Sequence, residues 1–442
     1  MIDLTVSDQF KSMATKSILS IVFFVFVYTV LILLATVLTF ICGYGGLLLI
    51  ITKPMLITIV LGIGLASVGV LILIFLIKFI FKKHKTDRTH LIEITRCQEP
   101  KLFQMIDQIV SEVETNYPKK VYLSADVNAA VFYDSSLWSM FFPIKKNLVI
   151  GMGLVNAITE EELKSILSHE FGHFSQRTMK VGSYVYNVNQ IIFNMLFDND
   201  SYDNLITKWG NVSGYFSIFG AIAFKIISGI QWILKEVYEV VNLNYMGLSR
   251  EMEFQADEIA ANITGHKPLV TSLYRMDFVE YAYGSVLNFY DGKINDNLKS
   301  SNIYKEQIFT LGFLAKENEL SIENNLPQVS LEDMNKFNKS KLIIEDQWAS
   351  HPSIEERKIA LEKLEISPKS ETNNSANDLF TNIEETQIKL TEKVFDAVQY
   401  EGKLEQISSM ISNLGLYRNT MKMDSINYIM GITTIRIHFN LK

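Results

Sequence analysis

Hydrophobic positions follow two different patterns along this chain. In the first ninety or so residues they are continuous: Ile18 to Cys42 is an almost unbroken apolar run, and Leu56 to Phe79 is another, interrupted only by Lys78. Each has about the twenty or more residues needed to cross a bilayer. The first is too long for a signal-peptide core and lacks a small-x-small cleavage site, so it predicts a retained anchor. Gly43 to Pro54 then reads as a short connection, and the pair as a transmembrane hairpin.

Beyond the hairpin the apolar positions become periodic. Leu102, Ile106, Ile109, Val110 and Val113 predict a helix ended by Pro118. Lys120 to Leu123 and Leu148 to Ile150 are short β-like runs. Thr159 with Glu162 forms a capping box, and Leu163, Ile166, Leu167, Phe171 and Phe174 then recur at helical spacing. Ser213 to Leu234 is apolar apart from Lys225, Ser228 and Gln231. A third span, a membrane-dipping helix and a core helix all fit this stretch, although a lysine in mid-segment costs about 2.5 to 3.5 kcal/mol on insertion scales. Leu248 to Ile263 predicts a helix stopped by Gly265 and Pro268; residues 291 to 345 read as solvated helices and loops. Ser367 to Asn377 is a polar linker before a small helical tail.

The expected architecture is therefore mainly α with a small β-sheet. Residues 1–89 would be a membrane anchor with two transmembrane helices, 90–365 a catalytic domain with an apolar insertion at about 179–247, and 366–442 a linker and tail. A formal charge of −7 gives no reason to expect nucleic acid as a partner, and Cys42 and Cys97 do not make a disulfide framework. Lys78, Lys82, Lys83, Lys85 and Arg88 crowd the end of the second span, and Lys11 and Lys16 precede the first, whereas the connection holds only Lys53. The positive-inside rule then predicts an integral protein of the cell inner or plasma membrane with its large domain in the cytoplasm and the lipid bilayer as a partner.

Candidate chemistry lies in Ser168-His169-Glu170-Phe171-Gly172-His173. Imidazoles four apart share one face of a helix and can hold one Zn²⁺, while Glu170 can act as general base toward water. Gly172 weakens the helix but lets another backbone or a substrate approach. Catalytic zinc sites usually take a third protein ligand. Glu253 and Asp257, four apart in Arg250 through Glu258, offer a carboxylate ligand and a partner for the free N–H of a ligating imidazole. Spacing alone does not select Glu253 from its acidic neighbours, since a solvated helix face has the same pattern.

Taken in order, these motifs resemble the membrane zinc metallopeptidase family that groups HtpX-type proteases with CAAX prenyl proteases. The likeness rests on Leu163 through His173, on Arg250 through Asp257, on Asn128-Ala129 with the Leu148 to Leu154 segment, and on His351-Pro352-Ser353 with Arg357. It covers roughly residues 90 to 365, and the small number of spans favours the HtpX-type branch. The resemblance implies a zincin-like (gluzincin) domain and one Zn²⁺ held by His169, His173 and Glu253. Glu170 would be the catalytic base, and Asp257 would support a ligand. His351 would serve as an oxyanion donor and Arg357 would orient the site. The alternative for the last two is a helix-start turn with Arg357 paired to Glu355 or Glu356. The donor set also admits other divalent ions.

The expected function is a membrane-anchored zinc endopeptidase acting on membrane or misfolded proteins. A substrate would lie extended against an edge strand near residues 148 to 154. Leu137 to Phe142 would shape a specificity pocket, touch the bilayer or join the core. The alternatives are a regulatory protease cutting one partner and a non-catalytic receptor or scaffold stabilised by metal.

Overall fold

The computed structural model describes residues 8–81, 83–84, 87–132, 135–136, 146–175, 193, 200–212, 214–333, 352–367, 373–396, 398–402 and 405–407. His351, the 137–142 loop and most of the 179–199 stretch lie outside these residues.

The two apolar runs form α1 (Asp8–Thr52) and α2 (Leu56–Phe81), which pack antiparallel. Glycines set their spacing: Gly69 lies against the Thr39 backbone and Gly62 against the Gly46 carbonyl. Outward they present large apolar side chains such as Leu34, Val37, Phe40 and Leu56. A short helix, which follows here as α5 (Asp200–Gly210), and the long α6 (Gly214–Thr264) join this bundle. Among the described residues three helices, Asp8–Thr52, Leu56–Lys78 and Gly214–Thr264, are long and apolar enough to cross a membrane. The interior of the bundle is its own cluster, centred on Ile72, Phe75, Leu76, Ala223 and Leu234.

The water-facing domain is built around a four-stranded sheet. Its strands are β1 (Ile92–Ile94), β2 (Val121–Ser124), β3 (Ala129–Phe132) and β4 (Asn147–Gly151), ordered β1-β2-β4-β3. β2 and β4 are parallel; β1 and β3 flank them antiparallel. The helices α3 (Pro100–Val113) and α4 (Glu160–Ser175) share a core with the sheet through Ile106, Leu123, Ile150, Leu167 and Phe171. The periodic row predicted for α3 is its buried face, and a left-handed Glu114 follows its last residue.

Four sequence expectations change. The helix predicted from Leu248 begins at Gly214, so one rod of 51 residues joins the membrane bundle to the domain. Gly265, at φ 86°, ends it, but Pro268 stops nothing: it sits in the first turn of α7 (His266–Asp291). First-turn N–H groups have no helical acceptor, so proline is tolerated there. Within 291–345, α8 (Ile303–Glu317) is not a solvated helix, because Ile303, Tyr304 and Leu311 are fully buried. Past a short α9 (Ile354–Glu362), residues read as a separate tail pack into the same core, with Leu379, Leu390 and Phe395 contributing, the last two from α10 (Ile383–Phe395).

The tail also clasps the start of α4. Ala376 N–H donates to the Ile158 carbonyl and Glu160 N–H to the Asn374 carbonyl.

Candidate metal centre

Two helices bring the site together, and local sequence explains each. At the start of α4 the Thr159 N–H donates to Glu162 Oε2 (2.9 Å), while Thr159 Oγ1 accepts from the Glu162 N–H (3.2 Å). Glu162 is also buried against Arg275 and accepts from the Thr271 hydroxyl. This fixes the helix that carries His169, Glu170 and His173. Where α4 crosses α6, Gly172 has no side chain: a Cβ there would lie 3.3 Å from Ala256 Cα. That close approach lets Glu253, on the adjoining turn of α6, reach the imidazoles.

The donor atoms converge. His169 Nε2 and His173 Nε2 are 3.1 Å apart. Glu253 Oε2 is 3.4 Å from the first ring and its Oε1 3.4 Å from the second. These are the only three residues among those described whose histidine, cysteine or carboxylate donors gather within 4.8 Å of one another. Such separations fit the edges of a tetrahedron of roughly 2.0–2.1 Å bonds.

The surroundings complete the fit. His169 Nδ1 meets Asp257 Oδ1 at 2.8 Å, which leaves the Nε2 lone pair directed at the other donors. Arg357 grips Asp257 with both arms, Nε to Oδ2 at 2.8 Å and Nη2 to Oδ1 at 2.6 Å. Burial alone would raise the Asp257 carboxyl, but the guanidinium and imidazole hold it below the usual range. Burial opposes charge on His169 as well; the Asp257 and Glu253 carboxylates outweigh it and push the ring up to about 9. The pocket therefore favours positive charge beside Nε2, as a cation site must. Glu170 is half-buried, and loss of water raises its carboxyl above the ordinary value, with the neighbouring imidazoles working the other way.

Each predicted site residue among those described can now be placed. His169, His173 and Glu253 meet, Glu170 sits beside them, and Asp257 and Arg357 back His169. Arg357 does not pair with Glu355 or Glu356. Glu356 instead accepts from Arg250 at 2.7 Å and closes a capping box with Ser353. The expected edge strand is corrected: residues 147–151 are internal, paired on both sides, and among the described residues the edge beside α4 is Ala129–Phe132. Arg275, which anchors Glu162, was missed; a lone arginine far along the chain carries no spacing signal.

Comparisons with known proteins agree with this arrangement. The profile of Peptidase family M48 matches residues 97–365, which contain every one of these groups. Protease HtpX of Stutzerimonas stutzeri is 26% identical over 217 residues, covering 47% of this chain and 67% of its own length. Protease HtpX of Vibrio vulnificus is 25% identical over 167 residues, 35% of this chain and 50% of its own. A Protease HtpX homolog of Sulfurihydrogenibium sp. is 25% identical over 175 residues, 39% and 54% respectively. The matched stretch thus spans about half to two thirds of each curated relative.

Proposed function

Because the chain belongs to peptidase family M48, we propose that it is a membrane-anchored zinc endopeptidase that cuts membrane or misfolded proteins as part of quality control. The observation that carries this reading is the convergence of His169, His173 and Glu253 from two helices, with Asp257 and Arg357 behind the first ring.

His169, His173 and Glu253 would hold the ion. Zinc, when bound, supplies Lewis acidity toward the scissile carbonyl and makes water a better nucleophile. The Glu170 carboxylate takes a proton from the attacking water and returns it to the leaving amine; partial burial raises its affinity for that proton. Asp257 keeps the His169 proton on Nδ1, and Arg357 neutralises Asp257 so that the carboxylate does not draw a second proton. An extended substrate adds to Ala129–Phe132, an edge strand among the described residues, gaining main-chain hydrogen bonds before cleavage.

The domain would face the cytoplasm. The basic residues at the ends of α1 and α2 favour that side, and α1 begins beside the site, with Phe10 buried on Leu248 and Met252.

The test is Glu170→Gln in the full-length protein. It should keep its zinc and lose chelator-sensitive digestion of casein by about 10²–10⁴-fold. Unimpaired digestion would remove Glu170 from its role.

A further inference from the structure

The middle of the membrane bundle carries lysines where lipid tails should be. Ser67 lies halfway along the apolar part of α2, and the Trp209 indole N–H donates to its hydroxyl at 3.1 Å. Tyr202 donates to the Leu71 carbonyl, and Phe219 packs on Gly64. α5 and the start of α6 therefore form a hairpin level with the centre of α2, not with its ends. Lys208, next to Trp209, sits at that depth. Lys225, six residues beyond Phe219, is about 9 Å further toward the catalytic domain at 1.5 Å per residue.

Both lysines are exposed, and neither forms an ion pair with a described residue. From Lys225 to the end of α2 is still about 12 Å or more along the axis, beyond what a lysine stem spans. In lipid each charge would cost about 2.5–3.5 kcal/mol on insertion scales. The serines nearby are a weaker sign, since Ser217 and Ser228 donate to carbonyls of their own helix.

Direction along α6 adds a second observation. At 3.6 residues per turn, positions eighteen apart point the same way. Lys235 and Ser217 thus share the side of Glu253, and Ser228, Gln231, Glu239 and Asn242 lie within about 40° of it. Ser217, Ser228, Lys235 and Glu239 are exposed, Gln231 and Asn242 half-buried. Phe224 and Met246 are the large apolar side chains in this stripe. α5 borders it on one side, with Gly210 against Ser217 and Ile206 against Gly220; Lys225 flanks the other. A helix face meant for lipid would not be polar from mid-membrane to the cluster of donors.

We propose that this face of α6 is a hydrated track along which a transmembrane polypeptide leaves the bilayer toward the site, its freed backbone groups meeting Lys225, Lys235 and the polar stripe. This rests on the proteolytic reading above. Lipid tails cannot satisfy these groups, whereas unwound backbone and water can.

Labelling in native membranes tests the track without relying on cleavage. In a Cys42→Ala, Cys97→Ser background, Lys225→Cys and Ser228→Cys should react with a charged thiol reagent at least about tenfold faster than Val37→Cys. Val37 is exposed on α1 at the same depth, since Thr39 lies against Gly69. Equally slow labelling overturns the track, as does disulfide linkage of two Lys225→Cys chains, which would make the face an interface between copies. The occupant is then tested with casein and a single-span reporter carrying an unfolded tail. Replacing Lys225 and Ser228 together by leucine should lower the ratio of reporter to casein cleavage about tenfold. An unmoved ratio overturns the substrate path. Failure of the unaltered enzyme to cut either protein would count against the proteolytic reading, and labelling would still decide whether the face is wet.

Discussion

The membrane bundle and the water-facing domain are solved by opposite distributions of polar groups. In the bundle, large apolar side chains point outward and helices meet through small residues, Gly46 on Gly62 and Gly69 on Thr39. Its hydroxyls largely satisfy themselves within their own helix, as Thr29, Thr36 and Thr39 do against carbonyls four residues back. The domain instead buries a connected polar network: Asn156 donates to Gln307 and to the Tyr304 carbonyl, and Gln387 donates to Asn156. Inside the domain these groups supply one another with partners, which offsets the cost of their desolvation. α6 runs through both environments, which is why its first half reads as a span and its second holds a carboxylate in the core.

The contrast is broken most severely at Glu253. Glu253→Ala removes one of three donors, so zinc content should fall well below one per chain. Casein cleavage should drop about a thousandfold or more, the loss of several kcal/mol of transition-state stabilisation. Elemental analysis of purified protein checks the first, a timed digestion the second. Zinc retained at full stoichiometry would sink the assignment of this carboxylate.

A smaller but still large effect should follow at Arg357. Leucine there leaves the almost fully buried Asp257 carboxylate without its guanidinium. Breaking a buried pair on one side costs about 3–5 kcal/mol. Thermal unfolding in detergent, in a Glu170→Gln background to prevent self-digestion, would show it. Arg357→Lys should fall between, since an ammonium keeps the charge and loses the fork.

Much of this centre was legible in the linear chain, and the reason is local. Residues four apart on a helix face one way whatever the tertiary fold does, so His169 with His173 could be read directly, and Glu253 with Asp257 as one acidic pair on a shared face. Hydropathy was similarly sufficient for α1 and α2. What escaped depends on contacts between distant segments. Spacing left Glu253 among several acids; the crossing at Gly172 and Ala256 is what selects it. The sheet edge was assigned to 148–154 because pairing order cannot be seen in single strands, and β4 turned out to lie between two neighbours. α8 looked solvated because Asn and Lys surround it, yet Tyr304 within it is fully buried.

The domain's preference for buried polar groups can be sharpened at Glu306, which accepts from Tyr290 (2.6 Å) and Ser300 (3.0 Å) while its other oxygen is buried without a hydrogen-bond partner. Burial pushes its carboxyl up to about 7, the two hydroxyls pulling back only in part. The folded value lies above that of an unfolded glutamate, so the protonated group stabilises the fold. That contribution is complete below about pH 4.5 and is lost as pH rises through about 7, with an upper size of about 3 kcal/mol. Glu306→Gln should therefore flatten the fall in melting temperature between pH 5 and 8. The difference between variant and parent isolates this group from others that titrate, and parallel curves would show that Glu306 is charged in the fold throughout.

The bundle should respond to the reverse kind of change, adding bulk instead of removing charge. On Gly62 a Cβ would stand 2.5 Å from the Gly46 carbonyl oxygen and 2.7 Å from Ile50 Cγ1. Backbone cannot step aside as the tip of a side chain can, so Gly62→Ala must push α1 and α2 apart. Overpacking of this kind costs about 1–3 kcal/mol, visible as a lower melting temperature in detergent. The contact lies near the loop between α1 and α2, at the opposite end of the bundle from α6's Glu253. Casein cleavage per folded molecule should then stay within about twofold, as expected for sites that share no partners. If cleavage falls with stability, the two environments are coupled more tightly than their separate clusters imply, and α6 is the element that would transmit the strain.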